Sequence, residues 1–220
     1  MPSRPRRPRG RPRDESRAAR RRDEILATAT RLFAAHGYRN LDVQRVADEL
    51  GIGKGTVYRY FPTKQELFLA AVDRGMRRLT DRADAIRSRH ADPLDQMRAA
   101  IRAHLEFFAA NPDLVELFIQ ERAEFRDRQT PTYFAYRERR MRPWTDVVRR
   151  LIAARRLRRI PVERITFVIG DLLYGMMFTN YFAPRRRSPR RQADDIIDIV
   201  FHGILSNTPA SRPRADGANA

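Results

Sequence analysis

Apolar residues recur along most of this chain at intervals of three and four, the spacing that lines one face of an α-helix, and no stretch alternates with period two for long. Ile25, Leu26, Ala29, Leu32 and Phe33 mark one face of a first helix from about Arg17 to His36, which Gly37 is placed to end. Val43, Val46, Ala47 and Leu50 mark a short second helix, and Asp42 stands where its side chain can accept the free amides of the first turn. Gly51-Ile52-Gly53 then turns the chain into a third helix of roughly seven or eight residues, closed by Pro62, with Val57 and Phe61 facing inward. Thr63 and Glu66 form a capping box that launches a fourth helix to about Arg89, which carries Leu67, Phe68, Ala71, Val72, Gly75 and Leu79 inward. Further helices are expected over 92–110, 112–126, 132 to about 158, 161–183 and 189–206. Most of them open at or near a proline, where a missing amide does no harm, and Pro143 is expected to kink or split the third of these. The fold expected is all-α.

Charge adds a partner to this picture. The 220 residues carry a formal charge of +18, so a polyanion such as nucleic acid is the expected counterpart. Residues 1–22 hold ten arginines against Asp14 and Glu15, and residues 137–159 hold ten against Glu138 and Asp146, while residues 91–136 are net acidic. Residues 1–16 are too hydrophilic to fold alone and are expected to form a disordered basic arm, with a second loose tail over 207–220. Between them lie a reading domain over 17–66 and a larger helical domain over 67–206. The absence of cysteine excludes a disulfide scaffold, thiolate zinc sites and a cysteine nucleophile. No apolar segment follows the arginines and prolines of the N-terminus, so the expected location is the bacterial cytoplasm, on the nucleoid.

Two helices packed around a glycine turn form a helix-turn-helix, whose second helix enters the major groove of double-stranded DNA. With Val57 and Phe61 directed inward, Gly55, Thr56, Arg59 and Tyr60 turn outward, with Tyr58 on the flank. Gly53 and Gly55 allow phosphates to approach the amides at the helix start, and Lys54 adds a point charge. Thr56 and Arg59 are placed to touch bases, whereas Lys64 and the hydroxyls of Tyr58 and Tyr60 would fix register on the backbone. Gln44 and Arg45 could clamp adjacent phosphates or reach a base. The same glycines do not make a P-loop: the glycine that motif needs five positions upstream of Gly53 is Asp48, inside a helix.

Ile25 through Leu32-Phe33, Gly37-Tyr38, Val46-Ala47, the run Gly51 to Phe61, and Lys64-Glu66-Leu67 together resemble the N-terminal signature of the TetR family over about residues 20–70. Leu41 departs from it, since the family usually has threonine there. The resemblance implies an N-terminal three-helix DNA-binding domain, a C-terminal ligand-binding and dimerisation domain, and a homodimer whose two heads address a palindrome, usually to repress transcription. The helices over 161–183 and 189–206 are the expected dimer bundle, and a small-molecule effector is the expected second partner.

Other signals have two readings. Arg9-Gly10-Arg11-Pro12 matches the core of an AT-hook, which lays arginines along a narrow minor groove, and it is equally a generic polybasic tail. Residues 165–182 are the most apolar stretch, yet Asp171 at their centre favours a buried helix over a membrane span. Trp144, Tyr174 and Met177 combine apolar bulk with a polar or polarisable group and are candidates for an effector pocket. His36, His90, His104 and His202 make no metal-ligand spacing, and no nucleophilic triad is present, so neither metal, cofactor nor catalysis is expected. The leading expectation is a ligand-responsive repressor. The alternative is a low-specificity architectural protein of the nucleoid, and a phosphate-transfer enzyme is the weakest reading.

Overall fold

A computed structural model describes residues 12–183 and 187–202, in which ten helices follow one another without a strand. They are α1 (Pro12–His36), α2 (Val43–Glu49), α3 (Lys54–Tyr60), α4 (Lys64–Arg89), α5 (Pro93–Ala109), α6 (Pro112–Glu124), α7 (Thr132–Arg139), α8 (Met141–Ala153), α9 (Val162–Phe182) and α10 (Pro189–His202). The first helix starts at Pro12 and not at Arg17, because proline is tolerated in a first turn and the residues that follow favour helix. Arg9 and Arg11, expected in a basic arm, lie outside the described residues.

Glycine conformation sets the two corners of the N-terminal helical head. Gly37 has φ +79° and its amide donates to the Phe33 carbonyl at 2.8 Å, which ends α1. Gly51 has φ +62°, its amide donates to Asp48 and that of Ile52 to Ala47, a pattern that closes α2 and turns the chain toward α3. Asp42 caps α2 through the Gln44 amide at 2.8 Å, and Thr63 caps α4 through the Glu66 amide at 3.0 Å.

The core of the head is Ile25, Leu26, Leu32 and Phe33 of α1, Val43, Val46 and Ala47 of α2, Val57 of α3, and Leu67, Phe68, Ala71 and Val72 of α4, joined by Phe61. Leu41 is 1% exposed. Where the family usually has threonine, this chain therefore places an apolar side chain in the core. The same apolar cluster continues without a break into Leu114, Leu117 and Phe118 of α6 and Met177 of α9. A Cβ at Gly75 would stand 2.5 Å from a Leu114 methyl, so this glycine lets α4 and α6 approach closely.

In the second domain α5 is the hub, packed on α4, α6, α8, α9 and α10. Ile101 and Leu105 of α5 meet Ala193, Ile196 and Ile197 of α10, and Met97 meets Val147, Val148 and Leu151 of α8. The chain divides at Arg140, upstream of Pro143, which sits harmlessly in the first turn of α8. That helix ends at Ala153, short of the expected Arg158, where Arg155 adopts φ +56° and the Arg156 amide donates to Leu151. No helix among the described residues is long and apolar enough to cross a membrane.

Candidate functional site

Helix α3 presents the residues expected to read DNA as one surface. Val57 is fully buried and anchors it, while Gly55, Tyr58 and Arg59 are exposed and Thr56 and Tyr60 half-buried. Neither Gly53 nor Gly55 has an atom within 4 Å of where a Cβ would stand, so the protein's own packing does not require glycine at either place. Arg45 is exposed on α2, and the side-chain Nε2 of Gln44 donates to the Asp48 carboxylate at 2.7 Å. The guanidinium of Arg59 lies 5.7 Å from the Tyr60 ring centre.

Two cations on this surface have internal partners that sequence reasoning missed. Lys54 donates to Asp42 at 2.8 Å, so the residue that caps α2 also holds the first residue of α3. The Gln44 amide and the Lys54 ammonium hold the Asp42 carboxyl below the usual carboxylate range, and Lys54 is raised in return. Lys64 donates to the Arg39 carbonyl at 3.1 Å and stands 5.0 Å from the Tyr38 ring centre. Asp42 and Lys54 stand twelve positions apart, with α2 and the turn between them, and no periodic pattern within one helix brings them together.

A second site lies beneath α4. A cavity of about 210 Å³ is lined by α4, α5, α7, α8 and α9, with Met76, Leu79, Met97, Ile101, Trp144 and Val148 among its apolar walls. Of the three expected effector-pocket residues only Trp144 borders it. Tyr174 lies in an aromatic cluster with Tyr133, Phe134 and Phe178, and Met177 is 2% exposed, beside a separate cleft between α5, α6, α9 and α10. His104 borders the main cavity, with its ring hydrogen-bonded to the Leu173 carbonyl and Nε2 without a partner. Burial lowers this histidine to about 4. The available signal was its place on the apolar face of α5, three residues from Ile101 and four from Phe108.

Residues 25–71 match "Bacterial regulatory proteins, tetR family", and residues 90–204 match "Tetracyclin repressor-like, C-terminal domain". The chain belongs to the TetR family. It is therefore a DNA-binding transcriptional regulator. The nucleoid occlusion factor SlmA of Vibrio vulnificus is 27% identical over 175 residues, 72% of this chain and 89% of that protein. The TetR-family regulator PfmR of Thermus thermophilus superposes with a TM-score of 0.68 at 23% identity, over 83% of this chain and 99% of PfmR. FadR of Bacillus subtilis, solved with stearoyl-CoA, superposes with a TM-score of 0.67 at 14% identity, over 83% of this chain and 99% of FadR.

In this TetR-family chain the head and cavity are tied by polar contacts as well as by shared core. Gln120 of α6 donates to the Phe33 carbonyl at 2.9 Å, and Glu124 accepts from Arg39. Arg74 of α4 pairs with Asp23 of α1, and the Tyr136 hydroxyl donates to Asp73 at 2.5 Å. Helix α4, which borders the cavity, thus contacts α1 through both packing and an ion pair.

Proposed function

We propose that this protein is a ligand-responsive repressor that binds a palindromic operator as a homodimer, with the cavity beneath α4 as its effector site. One observation carries the reading: α4 supplies Met76, Leu79, Thr80 and Ala83 to the cavity wall and begins at Lys64, on the DNA-facing head. A ligand that fits one placement of α4 better than another shifts the spacing of two heads by its difference in affinity for the two states. FadR, whose structure holds stearoyl-CoA, supports a small-molecule effector in a protein of this fold. Val168 and Phe182 of α9 and Ile199 of α10 are more than half exposed, and apolar surface of this kind on adjacent helices supports dimerisation through α9 and α10. Gly175 on α9 has open space where a Cβ would stand, which suits a close helix crossing. On DNA, Thr56 and Arg59 would contact bases, and Gln44, Arg45, Lys54, Tyr58, Tyr60 and Lys64 would hold phosphates, with Gly53 and Gly55 giving the backbone room.

The test is footprinting at physiological salt against competitor DNA. The expected result is a discrete, two-fold symmetric protected site, and protection without any preferred site refutes it. That second result is what an architectural protein of the nucleoid predicts, a reading favoured by the likeness to SlmA, a nucleoid occlusion factor.

A further inference from the structure

We infer that the end of the molecule remote from α3 carries a second DNA-binding surface, a set of unpaired arginines centred on the α8–α9 turn that holds the phosphates of another duplex, so that one molecule bridges two DNA segments. The inference goes beyond the reading of the head and holds for a repressor and an architectural protein alike.

The position of this surface follows from helix length and from contacts. Helix α4 leaves the head at Lys64, and its 26 residues span about 39 Å. At its far end the Gln96 side chain of α5 donates to the carbonyls of Arg87 and His90 at 3.3 and 2.7 Å, and accepts from Arg150 of α8 at 3.2 Å. Arg156 pairs there with Asp92, the N-cap of α5. The α8–α9 turn and the reading helix therefore stand at opposite ends of α4.

Some of the charge at this end is already neutralised, since Arg149 pairs with Asp146 and Arg156 with Asp92. Arg89, Arg155, Arg158 and Arg159 are exposed, and their side chains have no ion pair or hydrogen bond among the described residues. Glu163 and Arg164, in the first turn of α9, offset each other in charge. Four guanidinium groups are thus left over, three of them within the five residues that follow α8 and its cap.

The partner that fits is a polyanion with a regular row of charges. None of the four arginines borders either cavity, so a small anion would meet exposed, screened charge, which is worth little. A DNA duplex carries one charge for about every 1.7 Å of its axis and releases counterions for each phosphate neutralised, and a guanidinium grips a phosphate through two parallel hydrogen bonds. A lipid surface also offers phosphates, but stable seating on it draws on apolar side chains that enter the interface. Leu157 and Ile160, the large apolar residues of the turn, are half-buried, with Leu157 packed on the cluster of Met97 and Val147.

The full chain is mixed with a bead-bound duplex of mixed sequence and a fluorescent second duplex, and capture of the second is read against salt. Arg155→Asn, Arg158→Gln and Arg159→Gln are combined, and melting is compared with wild type. The triple variant is expected to bind the bead-bound duplex within about twofold of wild type and to capture about tenfold less of the second, with a salt slope flatter by about 2.7, three contacts at about 0.9 each. Should it melt early, Arg158→Glu alone, at an exposed side chain without a partner, is expected to give the same contrast. Capture equal to wild type, or parallel loss of both duplexes, overturns the inference, and so does a wild-type protein that captures no second duplex. Capture that disappears on deleting residues 1–11 and survives in the variant overturns it in favour of the N-terminal segment. Flotation of wild type, and not of the variant, with vesicles of equal parts phosphatidylglycerol and phosphatidylcholine, with capture of the second duplex unchanged, assigns the surface to lipid and overturns it as well.

Discussion

Replacing His104 by leucine should remove a defined part of the protein's sensitivity to acid. The ring is buried, neutral, and lowered from 6.5 to about 4 in the folded protein. Between those two values the unfolded chain binds the proton and the folded one does not, so stability rises with pH across this window and is lost as pH falls through it. At pH 4 the loss amounts to about 3 kcal/mol, from the displacement of roughly 2.5 units at about 1.36 kcal/mol each, less the half-titration at that pH. For a chain of this size that is roughly 6–12 °C in Tm. Asp23, Asp42 and Asp92 are held below their ordinary range by Arg74, by the Gln44 amide and by Arg156 respectively, and they add acid sensitivity of their own. The leucine variant keeps all three, so the comparison isolates His104. The assay is a set of urea or thermal melts of both proteins from pH 7.5 to 4 at one fixed protein concentration, and the quantity read is the difference of the two differences. Parallel loss of stability in wild type and variant would show that His104 titrates normally, and the account of its burial would be wrong.

Four further outcomes are expected. Arg155→Gly should stabilise by about 1 kcal/mol, since φ +56° penalises any side chain; a lower urea midpoint would contradict this. Gly37→Ala should destabilise by about 1–2 kcal/mol for the same reason at φ +79°, read as a fall in Tm. Thr56→Ala and Tyr58→Ala should weaken operator binding about tenfold or more, with unfolding free energy within about 0.5 kcal/mol of wild type, measured by gel shift and melting in parallel. Deleting residues 1–11 should lower DNA affinity and flatten its salt dependence by about 0.9 per lost phosphate contact while the same site is still footprinted; loss of the site itself would favour the architectural reading.

Local chemistry made most of the helices readable. Asp42 and Thr63 cap through their own side chains, and Gly37 and Gly51 occupy the left-handed region, all facts of one or two adjacent turns. The stripes on α1, α2 and α4 were equally plain because one face of each is buried. What escaped was set by tertiary placement. Pro143 is compatible with a first turn as well as with a break, and only packing chose Arg140 as the point of division. Arg155 ends α8 in a conformation that arginine does not advertise. At the candidate sites the outward positions of α3 could be read from the inward ones, whereas the cavity gathers residues of five helices. Tyr174 and Met177 had suitable chemistry but lie outside its lining, and His104 looked unremarkable until its Nε2 was found without a partner.

The unbroken apolar cluster that runs from Ile25 through Phe68 to Leu117 and Met177 bears on how this protein can be dissected. A fragment ending at residue 66 would lack Leu67, Phe68, Ala71 and Val72, and would bare the face of Phe33 that packs on Phe68. Such a piece should be a poor folder, so the reading surface is not a thermodynamically autonomous cassette. Swapping it onto another effector domain would require that domain to bring its own equivalents of Leu114 and Phe118.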